Sequence, residues 1–242
     1  MRLTWFGHSC FRVETGASVV LIDPFLKGNP TFEASGLAWD AATDGVTHVA
    51  LTHGHDDHIG DTAEICKARN ATLLAVYELA SHLAGQGVQH VEYMNTGGTV
   101  SCGRSGAGPD ATAAADFELT LTQALHSSSS HGTYLGNPCG IVLKSKEGRT
   151  LYHMGDTDVF GDMALINEFH KPDIGIVPIG DRFTMGAKAA AYACKTYFQF
   201  KMVVPCHYGT FPGALAPNAD AFVAEMKGQE LIVPKVGQVL TV

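Results

Sequence analysis

Apolar positions that alternate with polar ones, bounded by glycine and other turn residues, dominate the first third of the chain. This two-residue period predicts short strands, and the longer apolar run before residue 52 predicts a buried strand. The predicted strands are 3–6, 10–14, 19–22, 46–51 and 72–76, and the predicted helices are 61–69 and 78–84. Residues 52–60 are therefore expected to form a loop that joins a buried strand to a helix, a position where functional side chains are common.

A similar pattern returns in the second half of the chain. The predicted strands are 117–124, 140–144, 150–153, 174–178 and 202–205, and the predicted helices are 160–169, 187–198 and 219–226. Residues 103–115 are rich in glycine and alanine without an apolar period, which predicts an exposed loop with no chemistry. Two β-rich stretches, each followed by alternating strands and helices, predict a mixed α/β (α+β) fold with two sheets packed face to face and helices outside.

The length and the net charge of the chain indicate how many domains it has and which class of partner it binds. A chain of 242 residues with 45% hydrophobic residues can bury a substantial core, and the simplest organisation is one domain over residues 1–242. The formal net charge of -8, with acidic residues spread along the chain, argues against a nucleic-acid partner, although a metal site creates a local positive field even in an acidic protein. We expect a small-molecule substrate.

The sequence also bears on the compartment. The N-terminus lacks the basic and apolar run of a signal peptide, and no stretch approaches the roughly 18 apolar residues of a membrane span. We therefore expect a cytoplasmic protein without membrane contact, and a homo-oligomer is left open. The 6 cysteines include no Cys-x-x-Cys pair, which predicts reduced, mostly buried thiols.

The densest chemistry lies in the loop after the buried strand at 46–51. Residues 53–58 contain three histidines and two aspartates in six positions. A solvated polar loop is the alternative, but such loops rarely contain three histidines, and imidazole with carboxylate suits zinc, manganese or iron in a catalytic site. An extended backbone from His53 to His55 turns both side chains to one ion and leaves Asp57 and His58 to face a neighbouring one.

Two metal ions need further ligands, and three candidates follow predicted strands. His126, Asp156 and His207 each stand just after a strand, and Gly155 allows the backbone before Asp156 a close approach. Each alone is more often a cap or a satisfied polar group, but together with the cluster at 53–58 they predict a ligand set.

At this point the sequence resembles the metallo-β-lactamase superfamily, in which His-x-His-x-Asp-His is followed by a single His, Asp and His. The resemblance implies a four-layer αββα sandwich. It implies that one ion is held by His53, His55 and His126, a second by Asp57, His58 and His207, and that Asp156 bridges them. True zinc β-lactamases of the commonest class carry cysteine at the position of Asp156, whereas lactonase branches carry aspartate, so antibiotic cleavage is not the expected task.

A closer resemblance covers nearly the full length. The chain is similar to the bacterial metal-dependent hydrolases related to L-ascorbate-6-phosphate lactonases. The matching phrases are GHSCF at 7–11, LIDPF at 21–25, NTGG at 95–98, HSS at 126–128, GNP at 136–138 and PIGD at 178–181. Two features depart from that branch: a longer loop at 104–115, and Arg182 in place of asparagine. Arg182 favours either an anionic substrate or a surface ion pair.

Supporting roles fall to residues near the predicted ligands. Two divalent ions lower the pKa of a shared water to about neutrality, and Asp57 is the candidate catalytic residue that takes and returns its proton. Asp23 either accepts the N–H of a ligand imidazole or opens a turn, and His8 either contacts the site or substrate or packs at a strand end. Asn137 and Asp181 are weaker candidates.

The sequence thus predicts a hydrolase with two divalent metal ions. Zinc is the expected metal, with Mn²⁺ and Fe²⁺ as alternatives. The expected substrate is a small anionic molecule with an ester-like bond, such as a lactone or a phosphodiester. One alternative is a nuclease-type phosphodiesterase, for which the chain lacks a basic segment of suitable length, and another is a non-catalytic metal-dependent binding protein.

Overall fold

The computed structural model describes residues 1–103, the backbone of 106–107, and residues 115–242. The strands in these residues are β1 (Arg2–Trp5), β2 (Phe11–Thr15), β3 (Ser18–Ile22), β4 (His48–Ala50), β5 (Thr72–Val76), β6 (Val91–Met94), β7 (Thr99–Gly103), β8 (Gly106–Ala107), β9 (Phe117–Gln123), β10 (Ser129–Ser130), β11 (Thr133–Tyr134), β12 (Cys139–Ser145), β13 (Thr150–His153), β14 (Ile174–Pro178), β15 (Met202–Cys206) and β16 (Val239–Thr241). The helices are α1 (Pro30–Glu33), α2 (Trp39–Thr43), α3 (Asp56–Ile59), α4 (Thr62–Arg69), α5 (Tyr77–Gly85), α6 (Met163–His170), α7 (Ala187–Tyr197) and α8 (Asp220–Glu225).

The strands form two 7-stranded sheets and a separate β10–β11 hairpin. The first sheet has the order β16-β1-β2-β3-β4-β5-β6 and the second β15-β14-β13-β12-β9-β7-β8. In the first sheet β1, β2 and β3 pair antiparallel, and β3 to β6 pair parallel. In the second, β9, β12 and β13 pair antiparallel, and β13 to β15 pair parallel. Both halves of the chain therefore move from antiparallel to parallel pairing.

The two sheets pack face to face through one apolar core. The Thr15 and Ser145 hydroxyls lie 2.6 Å apart across the interface, and the ring centroids of Phe11 and His153 are 5.6 Å apart. Helices α4 and α5 pack against β4, β5 and β6, whereas α7 packs against β14 and contacts α6 and α8. This arrangement confirms the predicted four-layer αββα sandwich.

Strand direction brings the predicted site residues to one edge of this sandwich. In the first sheet β1, β3 and β4 run the same way, and in the second β9, β13, β14 and β15 do. Ligands of open α/β sheets bind outside such carboxyl ends. Several turns here hold non-glycine residues in the left-handed region, a costly conformation that clusters at functional sites. They are His8, Asp23, Asp181 and His207, with φ of 51°, 46°, 74° and 58°.

Several local predictions need correction. The predicted loop at 52–60 contains the one-turn helix α3. The predicted exposed loop at 103–115 is wrong at both ends, because Gly103 is a buried residue of β7 and Ala115 is buried as well. Residues 104–105 and 108–114 lie outside the described residues. The pattern also missed α1, α2, β6, β7, β8, β10, β11 and β16. All of these except β7 are short or lie at a sheet edge, where burial imposes little apolar pattern.

Two further properties follow from the coordinates. All six cysteines are buried and free of disulfides, as the sequence predicted. Within the described ranges, no helix combines the length and the apolar character that a bilayer crossing requires. The organisation of residues 1–242 as one domain stays a prediction.

Gly155, which precedes the predicted bridging ligand, offers a test of backbone packing. A Cβ at Gly155 would meet the Cys139 carbonyl oxygen at 2.5 Å, whereas Gly148, also at positive φ, has nothing within 4 Å. We expect Gly148→Ala to cost about 1 kcal/mol of unfolding free energy through backbone strain alone, and Gly155→Ala about 3 kcal/mol through strain and steric overlap. Urea unfolding of the metal-free variants measures both values. Equal losses would contradict this account of Gly155.

Candidate metal centre

The seven predicted ligands lie together at the carboxyl edge of the two sheets. Together with His8, which is not one of the seven, they form three overlapping groups, and the ligand atoms of each group lie within 4.8 Å of one another. The groups are His53, His55 and His126; His53, His58 and Asp156; and His8, Asp57, His58 and His207. Because His53 and His58 each belong to two groups, the three form one continuous cluster.

The first group consists of three imidazoles whose ring nitrogens lie close together. His53 Nε2 lies 2.9 Å from His55 Nδ1, which lies 3.3 Å from His126 Nε2. His55 has an extended backbone, with φ of -83° and ψ of 151°, so its side chain lies on the same side as that of His53. Three nitrogens in this arrangement match the three protein ligands of a catalytic zinc.

Asp156 lies between the first group and the remaining ligands. Its Oδ2 is 2.9 Å from His207 Nε2, 3.4 Å from His58 Nε2 and 3.6 Å from His126 Nε2. The side chain is only 3% exposed. A buried carboxylate that faces histidines of both predicted ion sites has the position of a bridging ligand.

The buried polar atoms of this cluster fit a bound cation. Neither His58 Nε2 nor Asp156 Oδ1 has a hydrogen-bond partner, and each such buried atom costs about 1–3 kcal/mol when unsatisfied. Burial by itself lowers the pKa of His58, but the carboxylates of Asp156 and Asp23 raise that pKa well above its usual range overall. The site therefore favours positive charge at this point, and its donors are those that zinc, manganese or iron accept.

Asp23 and Thr52 orient the rings of His53 and His58 through hydrogen bonds. The Asp23 carboxylate accepts hydrogen bonds from His58 Nδ1 at 2.8 Å and from the Thr52 amide and hydroxyl at 2.8 and 2.6 Å. Because the one hydroxyl hydrogen of Thr52 goes to Asp23, its oxygen accepts the N–H of His53 Nδ1 at 2.9 Å. In the neutral form of both rings the proton therefore lies on Nδ1, which leaves Nε2 able to bind a metal ion.

Comparison with known proteins agrees with this geometry. Residues 2–207 match the family described as the beta-lactamase superfamily domain. A metal-dependent hydrolase of the UPF0173 family from Methylocella silvestris is 52% identical over 243 residues, and the match covers 98% of each chain. The chain belongs to this family of metal-dependent hydrolases, within the metallo-β-lactamase superfamily.

Two further matches span the full fold. A UPF0173 metal-dependent hydrolase of Chelativorans is 49% identical over 246 residues, with 98% of each chain covered. The solved structure of Igni18, a metallo hydrolase from Ignicoccus hospitalis, superposes with a TM-score of 0.84 at 30% identity and covers 99% of this chain and 97% of its own. The metallo-β-lactamase fold therefore holds over essentially the whole molecule.

The weaker candidates differ in where this hydrolase places them. His8 is fully buried beside Asp57, with Nε2 3.1 Å from Asp57 Oδ2. Asn137 is exposed, accepts a 2.7 Å hydrogen bond from the Tyr134 hydroxyl, and lines a cavity next to His126.

Asp181 belongs to a different part of the surface. It is exposed and lies against the start of α7, where a Cβ on Gly186 would come within 2.6 Å of its Oδ1. It lines a separate cavity with Lys188, and it is not among the clustered metal-binding side chains. Arg182, the next residue, is also exposed.

The sequence interpretation missed four hydroxyl groups at the site. Ser127 Oγ lies 3.2 Å from His55 Nε2, and Ser128 Oγ accepts the Gly54 amide at 3.0 Å. Thr52 contacts Asp23 and His53, and Thr210 contacts His8. Two of the four, Thr52 and Ser127, directly precede or follow a predicted ligand in the sequence, which was the available signal.

Proposed function

We propose that this metal-dependent hydrolase uses two divalent cations to cleave an ester-like bond, such as that of a lactone or a phosphodiester, in a small anionic molecule. The observation that carries the proposal is the convergence of histidines from both predicted ion sites on the buried carboxylate of Asp156. When bound, a pair of divalent cations lowers the pKa of water to about neutrality and stabilises the charge that develops on the oxygens of the cleaved bond. Zinc is the expected metal, with manganese and iron as alternatives.

Asp57 is the proposed proton carrier. Its side chain is 31% exposed, so it borders both the cluster and the solvent. Burial alone raises its pKa, but the hydrogen bond from His8 and the nearby His58 lower that pKa overall. Asp57 is therefore a carboxylate at neutral pH and is able to accept a proton on an oxygen near the metal ligands.

The cavity next to His126 supports a small substrate. It has a volume of about 580 Å³ and is lined by Thr96, Gln123, Leu125 and Asn137 among others. This volume lies within the range of small-molecule sites. The hydroxyl of Thr96 and the amides of Gln123 and Asn137 can hydrogen-bond to polar groups of a substrate, whether charged or neutral. An anionic substrate group would find its partner in the cations.

Metal content and turnover test this proposal together. We expect purified protein to bind two zinc or manganese ions per chain and to hydrolyse at least one member of a panel of lactones, thioesters and phosphodiesters. Asp57→Asn is expected to lower turnover by about 100-fold or more, because the amide is a poor proton acceptor and a weaker ligand.

Asp56→Asn is the matched control for that variant. Asp56 stands beside Asp57, but its carboxylate contacts Ser130 and His131 near the surface, so turnover should stay within about 2-fold of wild type. Protein that binds two ions but cleaves no panel member would contradict the proposal and favour a metal-dependent binding protein. Cleavage confined to nucleic acid would favour the nuclease alternative.

A further inference from the structure

His8 is a fully buried histidine that the predicted ligand set does not include. It follows β1 with a left-handed φ of 51°. Its carbonyl oxygen accepts hydrogen bonds from Trp5 Nε1 at 2.9 Å and from the His207 amide at 3.1 Å. These bonds tie the backbone of His8 to the turn that carries a predicted metal ligand, so the position of the ring is fixed from both sheets.

Both ring nitrogens of His8 have a polar partner. Nδ1 lies 3.1 Å from the Thr210 hydroxyl oxygen, and Nε2 lies 3.1 Å from Asp57 Oδ2. A neutral imidazole donates from one nitrogen and accepts at the other, and a carboxylate only accepts. If Nε2 were unprotonated, its lone pair would face the carboxylate oxygen of Asp57. The Thr210 hydroxyl also lies 3.4 Å from the Tyr208 carbonyl oxygen, but Nδ1 of His8 is its nearer acceptor. With Thr210 donating to Nδ1, Nε2–H donates to Asp57 and both ring nitrogens are satisfied.

The surroundings of His8 strengthen this hydrogen bond. The ring centroid is 4.3 Å from that of His207, 5.4 Å from that of Phe211 and 6.0 Å from that of Phe25. His8 itself has no exposure to solvent. A hydrogen bond to a carboxylate in such a shielded place is stronger than one in water.

We propose that His8 is a positioning residue for Asp57, with its tautomer set by Thr210. The N–H of His8 holds one carboxylate oxygen of Asp57, which leaves the other free to face the metal pair. This relay parallels the one that Asp23 and Thr52 provide for His58 and His53 on the other side of the cluster. The inference rests on the two-metal site of the proposed function and adds to it a role that the ligand pattern does not contain.

Zinc binding by full-length variants tests the role of His8. Competition with a chromophoric chelator measures the affinity of each of the two ions. His8→Phe fills the space of the ring but has no N–H donor. We expect it to weaken the affinity for one zinc ion by about 10–100-fold and to leave the affinity for the other unchanged. His8→Gln, whose amide N–H reaches toward the place of Nε2, should recover most of that affinity.

Thr210 supplies a second test that leaves the His8 ring in place. Thr210→Val keeps the shape of the side chain but lacks the hydroxyl, so we expect it to weaken the affinity for the same ion by about 10-fold. Thr210→Ser keeps the hydroxyl and should bind both ions as wild type does. Thermal unfolding of the metal-free variants shows whether each is folded. If His8→Phe does not fold, the two Thr210 variants decide the question, and equal zinc affinity in both would overturn the proposal.

The outcomes separate this inference from the proposed function. Two ions bound with wild-type affinities in His8→Phe would overturn the role of His8 alone. A single ion in the wild-type protein that weakens in His8→Phe would contradict only the two-metal site. A zinc-loaded structure with His8 Nε2 about 2.1 Å from an ion would make His8 a ligand and overturn its positioning role.

Discussion

Replacing Asp156 with asparagine is expected to weaken metal binding by more than about 100-fold and to reduce hydrolysis to background. Removing a group that hydrogen-bonds to a metal ligand already costs about 10–100-fold in metal affinity or activity. Removing the charge of a ligand that bridges two ions should cost more. Asp156 Oδ2 lies within 3.6 Å of three histidine nitrogens, so one substitution alters both predicted ion sites. An amide also removes the negative charge that offsets two divalent cations in a buried place.

The Asp156→Asn prediction has a matched control and a clear contradiction. Asp56→Asn removes a carboxylate from the same cluster of loops, but from an exposed position, and should leave metal affinity within about 2-fold of wild type. Metal affinity is measured by chelator competition and turnover with the substrate that the panel identifies. Two tightly bound ions in Asp156→Asn would show that this carboxylate does not bridge them.

Asp23→Asn is the second substitution with a large expected effect. In either orientation the new amide nitrogen would face a donor in a place with no exposure to water: the Thr52 amide at the position of Oδ1, or the Thr52 hydroxyl and His58 Nδ1–H at the position of Oδ2. In the second orientation His58 would relieve the conflict by moving its proton to Nε2, the atom that faces Asp156. A protonated nitrogen does not bind a metal, so we expect an affinity loss of about 10–100-fold and a corresponding loss of turnover.

Thr52 provides the matched pair for the Asp23 prediction. Thr52→Ser keeps the hydroxyl that joins Asp23 to His53, and Thr52→Val removes it at nearly constant shape. We expect the serine variant to resemble wild type and the valine variant to bind metal about 10-fold more weakly. Proton NMR of the zinc-loaded protein gives an independent readout, because the His58 Nδ1–H signal should persist in Thr52→Ser. Wild-type affinity in Asp23→Asn would contradict the orienting role of the carboxylate.

The ligand set was accessible from the sequence because its order and spacing are local. Four of the seven predicted ligands lie within residues 53–58, where the covalent chain alone brings them together. The other three follow strands that the apolar pattern predicted, and the ends of strands that run in one direction meet at one edge. The structure brings all seven into one cluster.

The hydrogen bonds around the ligands were not accessible in the same way. His8 reaches Thr210 across 202 positions and Asp57 across 49 positions, and no local period relates such distant residues. Asp181 shows the opposite case. It follows a parallel strand as the ligands do, but its side chain lies against the start of α7, because the direction of a turn decides where its side chain points.

The sequence by itself determined the mixed fold, the burial of the cysteines, the family and the seven candidate ligands, because apolar periods and motif spacing are properties of the covalent chain. Only the tertiary structure decided which hydroxyl groups and carboxylates orient those ligands, since hydrogen bonds form between groups that two packed sheets bring within about 3 Å. The fully buried contacts of Asp23, Thr52 and His8 exist because the fold closes around them.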